Sequence, residues 1–218
     1  MKMLEVIELG LRPYGEAWDI QKELFAKRVD RSIPDTLLLV EHPHVYTLGK
    51  HANAAHLLAS QEYLQSRGIE LYHVDRGGDI TYHGPGQLVG YPIFHLKDHG
   101  ESVGGYVHAV EEVLIRMLGQ FGIEARRQEK LTGVWVGDQK IAALGMRVSK
   151  WVTMHGFALN ITTDLSLYDG IVPCGLVSKG VTRMAELCPE CQWEKVVDRV
   201  VEEFVSIFDF DNIRRKAW

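Results

Sequence analysis

TGVWVGDQKIAALGMRVSKWVTMHGFALNIT, residues 132–162, is the stretch of sequence that decides the fold. It contains three segments rich in β-branched, aromatic and apolar residues, at 132–137, 140–148 and 152–162, which is the composition typical of strands. Gly137 and Asp138 form the kind of pair that favours a tight turn between two antiparallel strands. The stretch therefore predicts consecutive strands joined by short turns.

Further elements lie on both sides of this stretch. Strand-like segments occur at 4–10, 36–42, 45–49, 69–74, 80–83, 88–96 and 123–127. Helical periodicity occurs at 13–30, 61–67, 102–122 and 193–208, where the apolar stripe of the third segment begins at Val103 and that of the last at Trp193. Strands cluster in the middle, and helices lie between and after them. We expect one α+β domain spanning residues 1–218, with mixed, largely antiparallel sheets flanked by helices.

The composition is that of an ordinary globular protein. Hydrophobic residues make up 46% of the 218 residues and charged residues 24%. No apolar run approaches the roughly 18 residues of a membrane span, and the first residues do not resemble a signal or transit peptide. Three cysteines are an odd number and too few for a disulfide framework, which favours a reducing compartment. We therefore expect a cytoplasmic protein with no membrane partner.

The charge is distributed unevenly. The net charge of −5 argues against a nucleic-acid-binding protein, but residues 126–150 contain six basic residues against two acidic ones. The basic residues are Arg126, Arg127, Lys130, Lys140, Arg147 and Lys150. This local charge of +4 is explained equally well by a docking surface for an acidic partner and by a solvated rim of lysines and arginines.

Several common catalytic and metal motifs are missing from the sequence. It has no dinucleotide or phosphate-loop fingerprint, no His-Glu-x-x-His and no Gly-x-Ser-x-Gly. His42 and His44 lack nearby companions for a metal site. Cys188 and Cys191 have metal or redox spacing but no second ligand pair, so a surface turn is the favoured interpretation. We expect no metal and no cofactor.

Two stretches are candidates for a functional site. RGGDITYHGPGQLVGYPI, residues 76–93, is dense in glycine and is either a wall against a ligand or two turns around a short strand. In DGIVPCGLVSKG, residues 169–180, Pro173 and Gly175 favour a bend that presents the Cys174 thiol. A thiol needs a nearby histidine or ammonium to ionise at neutral pH. Lys140, at the start of an apolar run, could supply that ammonium. A structural cysteine in a turn remains the alternative.

Three motifs, taken in order, closely resemble those of the octanoyltransferases of lipoate biosynthesis: RGGDITYHGPGQLVGYPI, KIAALGMRVSKWVTMHGFALNI and DGIVPCGL. The similarity extends from the opening strand to Val181. This resemblance implies the fold of the biotin and lipoate protein ligases. It also implies transfer of an octanoyl group from octanoyl-acyl carrier protein to a lysine of a lipoyl domain, through an acyl thioester on the enzyme. The acceptors would be the lipoyl domains of 2-oxoacid dehydrogenase complexes and the glycine cleavage H protein.

The resemblance also implies the roles of particular residues. Cys174 would be the nucleophile and Lys140 its activating partner. The substrate-binding residues would be Arg76, Gly77, Gly78, Asp79, Ile80, Thr81, Tyr82, His83, Ala143, Leu144, Gly145, Gly156, Phe157 and Ala158. His83 and His155 would shape the site, whereas Arg183 departs from the family pattern. The competing hypotheses are an ATP-dependent lipoate or biotin ligase, a transferase acting between two carrier proteins, and a catalytically silent acyl-binding module.

Overall fold

The computed structural model describes residues 2–172 and 180–218. Its helices are α1 (Tyr14–Val29), α2 (Gln61–Arg67), α3 (Val103–Gln120), α4 (Met184–Leu187) and α5 (Trp193–Phe208). Its strands are β1 (Met3–Leu11), β2 (Asp35–Glu41), β3 (Val45–Leu48), β4 (Glu70–His73), β5 (Ile80–His83), β6 (Gln87–Ile93), β7 (Arg126–Gln128), β8 (Leu131–Val136), β9 (Gln139–Ser149), β10 (Val152–Asn160), β11 (Gly180–Val181) and β12 (Asn212–Ala217).

Two sheets are present in this part of the chain. The large sheet has the order β12-β1-β2-β6-β10-β9-β8-β7, and β11 pairs with β9 outside this path. Its pairs are parallel at β12–β1, β1–β2 and β11–β9 and antiparallel elsewhere. The small sheet has the order β4-β3-β5. The predicted α+β class with mixed, largely antiparallel sheets is confirmed.

The stretch 132–162 forms the centre of the large sheet, as its composition predicts. Val136 pairs with Gln139, so Gly137 and Asp138 make the predicted turn, with Gly137 at φ +56°. β9 and β10 are joined by an equally tight turn in which Lys150 and Trp151 both have positive φ. Such turns twist in the same sense as the strands they connect, so β8, β9 and β10 form one continuous antiparallel unit.

Helices cover both faces of the large sheet. α3 and α5 bury their apolar stripes in one core cluster, which includes Phe157 of β10. α1 packs on the opposite face in a second cluster, which includes Ala158 of the same strand. Adjacent residues of a strand point to opposite faces, so β10 contributes to both cores. Val103 was expected in the core, but it lies in the first turn of α3 and is 49% exposed.

No helix within the described ranges has both the length and the apolar character that crossing a membrane would require.

Cys188 and Cys191 form a disulfide across the turn between α4 and α5. The expected surface turn is present at the exposed residues 189–190. The disulfide that closes it was not predicted, and it joins Cys191 to the buried Cys188, which packs in the core cluster of α3 and α5. The spacing of the two cysteines is explained by closure of this turn.

Strand β12 was not predicted, because its run of basic residues has no apolar alternation. It lies at the edge of the sheet, parallel to β1, and its side chains bond to the buried carboxylate of Glu5. Arg214 donates from Nε to Glu5 Oε2 over 3.1 Å, and Lys216 Nζ lies 2.5 Å from Oε1. Burial by itself would raise the pKa of Glu5, but the bonds from Lys216 and Arg214 outweigh burial and hold this pKa below its ordinary value.

Replacing both Arg214 and Lys216 by alanine is expected to lower the free energy of unfolding at pH 7 by about 1–3 kcal/mol, because a buried carboxylate loses its partners. Urea denaturation measures the loss. It should shrink as the pH falls below about 4, where a protonated Glu5 no longer needs a cation. Arg215→Ala is the matched control, since Arg215 bonds to the half-exposed Glu8 and Asp198. Equal losses in the two proteins would contradict the role of Glu5.

Candidate functional site

An apolar cavity lies where the small sheet meets β9 and β10. It encloses about 490 Å³ of space not filled by atoms, part of which is open to solvent. Twelve of the residues that the family resemblance implies line it: Arg76, Gly78, Asp79, Ile80, Thr81, His83, Ala143, Leu144, Gly145, Gly156, Phe157 and Ala158. Tyr14, Val89, Tyr91 and His155 complete the lining. Three separate stretches of the sequence therefore meet at one cavity.

Two residues of the implied set lie elsewhere. Gly77 lines the neighbouring groove that contains Lys140. Tyr82 packs against Tyr46 and Tyr168, at ring-centroid distances of 5.9 and 5.3 Å. Side chains alternate between the two faces of a strand, so Tyr82 faces the core of the small sheet, whereas Thr81 and His83 line the cavity.

Glycine residues allow the loop 75–79 to lie directly on β9. The Gly77 amide donates to the Met146 carbonyl over 2.8 Å. A Cβ atom on Gly145 would lie 2.9 Å from the Gly77 carbonyl oxygen, and Gly78 has a φ of +91°. The loop therefore forms both a turn and one wall of the cavity, so the two interpretations of residues 76–93 are compatible.

Arg76 anchors this loop through a buried guanidinium group. Its Nη2 donates to the Thr47 carbonyl over 2.6 Å, and Nη1 donates to the Gly77 carbonyl over 3.0 Å. A guanidinium has several fixed donors and stays charged. Arg76 therefore joins the small sheet, the loop and the cavity wall, and it brings positive charge to a lining that also contains Asp79.

Two buried histidines lie in and behind the cavity wall. His83 donates from Nδ1 to Gln87 Oε1 over 2.8 Å and stacks on Tyr14 at a centroid distance of 6.0 Å. His42 donates from Nδ1 to the Arg12 carbonyl, and its Nε2 accepts the hydroxyl proton of Tyr91, each over 2.8 Å. Burial lowers the pKa of His42 to about 4 and that of His83 well below its ordinary value. Both rings are therefore neutral at pH 7.

His155 connects β10 to the same loop. Its Nε2 donates to Asp75 Oδ1 over 2.8 Å, and Asp75 also pairs with Arg147 at 2.9 Å. The hydrogen bond from His155 lowers the pKa of Asp75, and burial lowers the pKa of His155. His155 has a φ of +57°, and its amide donates to the Gln21 side chain over 3.0 Å. His155 also forms part of the cavity lining.

Lys140 lies in a groove that adjoins the cavity. Its side chain is nearly buried, with Nζ 4.8 Å from the centre of the Trp135 ring. The groove and the cavity share Gly78, Asp79, Leu144 and Gly145 as a common wall. A ligand group at this wall would therefore contact both the apolar cavity and the groove of Lys140.

Cys174 lies in the segment 173–179, outside the described residues. The residues on either side of the segment are held in place. The Val172 amide donates to the His56 carbonyl over 2.8 Å, and the Thr182 amide donates to the Lys140 carbonyl over 3.0 Å. Val181 pairs directly with Lys140. The chain therefore returns from this segment to the backbone of Lys140 itself.

His56 is a residue near the site that sequence reasoning missed. Its Nδ1 bonds to the Asp79 carboxylate, and Asp79 Oδ1 also accepts from the Asn53 amide over 3.1 Å. Through its carbonyl, His56 also holds Val172.

Among the residues given coordinates, no group of three or more His, Cys, Asp or Glu side chains has the arrangement of a metal site.

Comparisons with known proteins agree with this architecture. Residues 13–205 match the family model described as the lipoyl protein ligase A/B catalytic domain. The octanoyltransferase of Solibacter usitatus is 52% identical over 204 residues, which cover 94% of this chain and 92% of that protein. The octanoyltransferase of Rubrobacter xylanophilus is 54% identical over 201 residues, covering 91% and 90%.

Solved structures show the same fold at low sequence identity. A putative lipoate protein ligase from T. acidophilum with bound lipoic acid aligns with a TM-score of 0.79 at 16% identity, covering 100% of this chain and 90% of that chain. The biotin protein ligase from Aquifex aeolicus aligns with a TM-score of 0.53 at 11% identity, covering 94% and 69%. The expected likeness to the biotin and lipoate ligase fold is confirmed.

The buried neutral histidines predict a pH-dependent stability. Between its two pKa values, a histidine whose pKa is lowered by folding binds fewer protons in the folded state than in the unfolded state. The free energy of unfolding therefore falls as the pH drops from about 6.5 towards the folded-state pKa. For His42, with a pKa of about 4, this amounts to about 3 kcal/mol. Urea denaturation between pH 7 and pH 4 should show a shallower fall for His42→Gln than for the wild type. His73→Gln, at an exposed position on β4, is the control; parallel curves for all three proteins would contradict a neutral buried His42.

Proposed function

Because the chain belongs to the octanoyltransferases of the lipoyl protein ligase A/B catalytic-domain family, we propose that it moves an octanoyl group from octanoyl-acyl carrier protein to a specific lysine of lipoyl domains. The carrier of the group on the enzyme is Cys174, as an acyl thioester. The observation that carries this proposal is the shared wall between the apolar cavity and the groove of Lys140.

The cavity suits an octanoyl chain. Such a chain has no hydrogen-bonding groups beyond its carbonyl, so its binding depends on removing apolar surface from water. Val89, Leu144, Phe157 and Ala158 supply apolar lining. Neutral His83 in the wall keeps its hydrogen-bonding groups engaged within the protein, which lowers the cost of placing a hydrocarbon beside it.

The proposed reaction has two steps. In the first, the Cys174 thiolate attacks the carbonyl carbon of octanoyl-acyl carrier protein, and the carrier thiolate leaves. In the second, the lysine amine of the acceptor attacks the acyl-enzyme, an amide bond forms, and Cys174 leaves as thiolate. An ammonium at Lys140 stabilises the Cys174 thiolate and gives its proton to the departing carrier thiolate. The neutral Lys140 that results then takes the proton that the attacking amine releases. The pairing of Val181 with Lys140 supports this assignment, because it ties Lys140 to the chain that follows Cys174.

The proposed acceptors are the lipoyl domains of 2-oxoacid dehydrogenase complexes and the glycine cleavage H protein. A solved relative in fold is titled a bi-partite lipoate protein ligase and its E2 lipoyl domain from Thermoplasma acidophilum, aligned at a TM-score of 0.80 and 18% identity. The proposal includes a cytoplasmic location and needs neither a nucleic acid nor a membrane.

The basic segment 126–150 offers less free positive charge than its sequence implies. Arg127 bonds to Glu111 and Glu112, and Arg147 pairs with Asp75. The cations that stay exposed include Arg126 and Lys150, at opposite ends of the segment. We assign these two to the surface that the acidic donor protein approaches.

Intact-mass analysis tests the proposed function. After mixing with octanoyl-acyl carrier protein in the absence of ATP, the wild-type protein should gain one octanoyl group, and Cys174→Ser should gain none. The double variant Cys188→Ser/Cys191→Ser should still gain it, because that pair forms the disulfide between α4 and α5. Absence of an adduct on the wild type favours an acyl-binding module, and acyl transfer that requires ATP and free octanoate favours a ligase.

A second experiment tests Lys140. Lys140→Met keeps the buried stem against Trp135 but removes the amine, so single-turnover acylation should slow by at least about 100-fold. Lys22→Met is the matched control, because Lys22 Nζ lies 4.1 Å from the Trp18 ring on the exposed side of α1, away from the cavity. Equal rates for wild type and Lys140→Met would contradict the assignment.

A further inference from the structure

A groove extends from Lys140 along an edge of β9 that β8 leaves open. β8 pairs with β9 only from Val136 to Val134, opposite Gln139 to Ala142. From residue 143 to residue 149, no strand in residues 2–172 or 180–218 pairs with this edge, although β10 pairs with the other. The Gly77 amide bonds to the Met146 carbonyl. A strand edge that has no neighbouring strand presents backbone N–H and C=O groups along its length.

A buried carboxylate takes the Gly133 amide of β8 at the point where the pairing of β8 with β9 ends. The Gly133 amide donates to Glu111 Oε1 over 2.9 Å rather than to β9, and Gly133 has a φ of +131°. Glu111 is itself buried, and Arg127 and His108 bond to its other oxygen over 3.1 and 3.2 Å. Specific bonds of a buried side chain therefore mark the end of the pairing between the two strands.

The walls of the groove are mainly apolar. Leu144, Met146 and Val148 occupy alternate positions of β9 and so share one face, and Val103, Val107 and Leu131 lie across from them. From Lys140 to Val148 the groove is roughly 26 Å long, at about 3.3 Å per residue. The 49% exposure of Val103, which the apolar stripe of α3 did not explain, is accounted for by its place in this wall.

The groove meets the acyl cavity beside Lys140. Gly78, Asp79, Leu144 and Gly145 line both spaces. A thioester bound at this junction has two arms, the acyl chain and the thiol side. With the acyl chain in the cavity, the thiol side extends along the groove towards Val103 and Val148.

We propose that this groove binds the thiol-side tether of the acyl donor, a slender amide-containing chain of the pantetheine type. The proposal rests on the proposed function of the site. Amides lose water on binding and need replacement hydrogen bonds. The open edge of β9 supplies backbone donors and acceptors in the manner of an added strand, and the apolar side chains contact the methylene and methyl groups of the tether.

The test compares two donors that differ only in the tether: octanoyl-pantetheine and octanoyl-N-acetylcysteamine. Val103→Trp places a bulky ring in the groove at an exposed first-turn position of α3. It should raise KM for octanoyl-pantetheine about tenfold, with the KM for the truncated donor unchanged within about twofold. Ile213→Trp is the matched control, since Ile213 is 45% exposed at the far edge of the large sheet. It should leave both values unchanged.

Val148→Phe, on the opposite wall, provides a second variant if Val103→Trp fails to fold. An equal rise in KM for both donors would mean that the groove holds the acyl chain, which overturns the proposal. Unchanged values for both donors in both folded variants would overturn it as well. Failure of the proposed function is distinguishable, because the wild type would then form no octanoyl adduct with either thioester.

Discussion

The contact between the loop 75–79 and β9 is the constraint on which the site depends. The Gly77 amide bonds to the Met146 carbonyl, and Gly145 leaves space for the Gly77 carbonyl to approach. Because the loop follows this one line across β9, space remains on either side of it. One space is the apolar cavity, and the other is the groove of Lys140. A side chain on Gly145 would displace the wall that the two spaces share.

Charge inside this region is confined to a few groups, each held by specific partners. Arg76 bonds to Thr47 and Gly77, and Asp75 bonds to His155 and Arg147. The buried histidines stay neutral because burial disfavours their charged form. Neutral histidines beside apolar side chains let an apolar chain bind by removing its surface from water. Any charge carried by Lys140 also acts over a longer range there than it would in water.

The open edge of β9 also follows from the need of buried polar groups for hydrogen-bond partners. Glu111 needs partners because it is buried, and the Gly133 amide is one of them. This bond costs β8 its pairing with β9 beyond Ala142. The result is an apolar groove beside an open strand edge, next to the Lys140 amine. One buried carboxylate on α3 thus determines the shape of a surface formed by two strands.

Local pattern was enough to predict most of the fold. Alternation and turn residues indicated the strands of 132–162, and periodicity indicated α1, α2, α3 and α5, because these signals arise between residues close in sequence. The resemblance of three motifs to a family indicated twelve residues that line one cavity. Strand β12 escaped prediction because bonds to Glu5, more than 200 residues away in sequence, hold it in place. The neutralisation of Arg127 by α3 and the exposure of Val103 could not be predicted either, because they too depend on contacts between different elements.

The sequence by itself determined which segments become strands and helices, the α+β class, and the family to which the chain belongs. Only the tertiary structure decided that Tyr82 faces away from the cavity and that Gly77 lies on the Lys140 side of the loop. It also decided that β8 stops pairing with β9 beyond Ala142. The physical reason is that side-chain direction and strand separation follow from contacts between distant elements, and a buried group such as Glu111 selects its partners only after those elements have packed together.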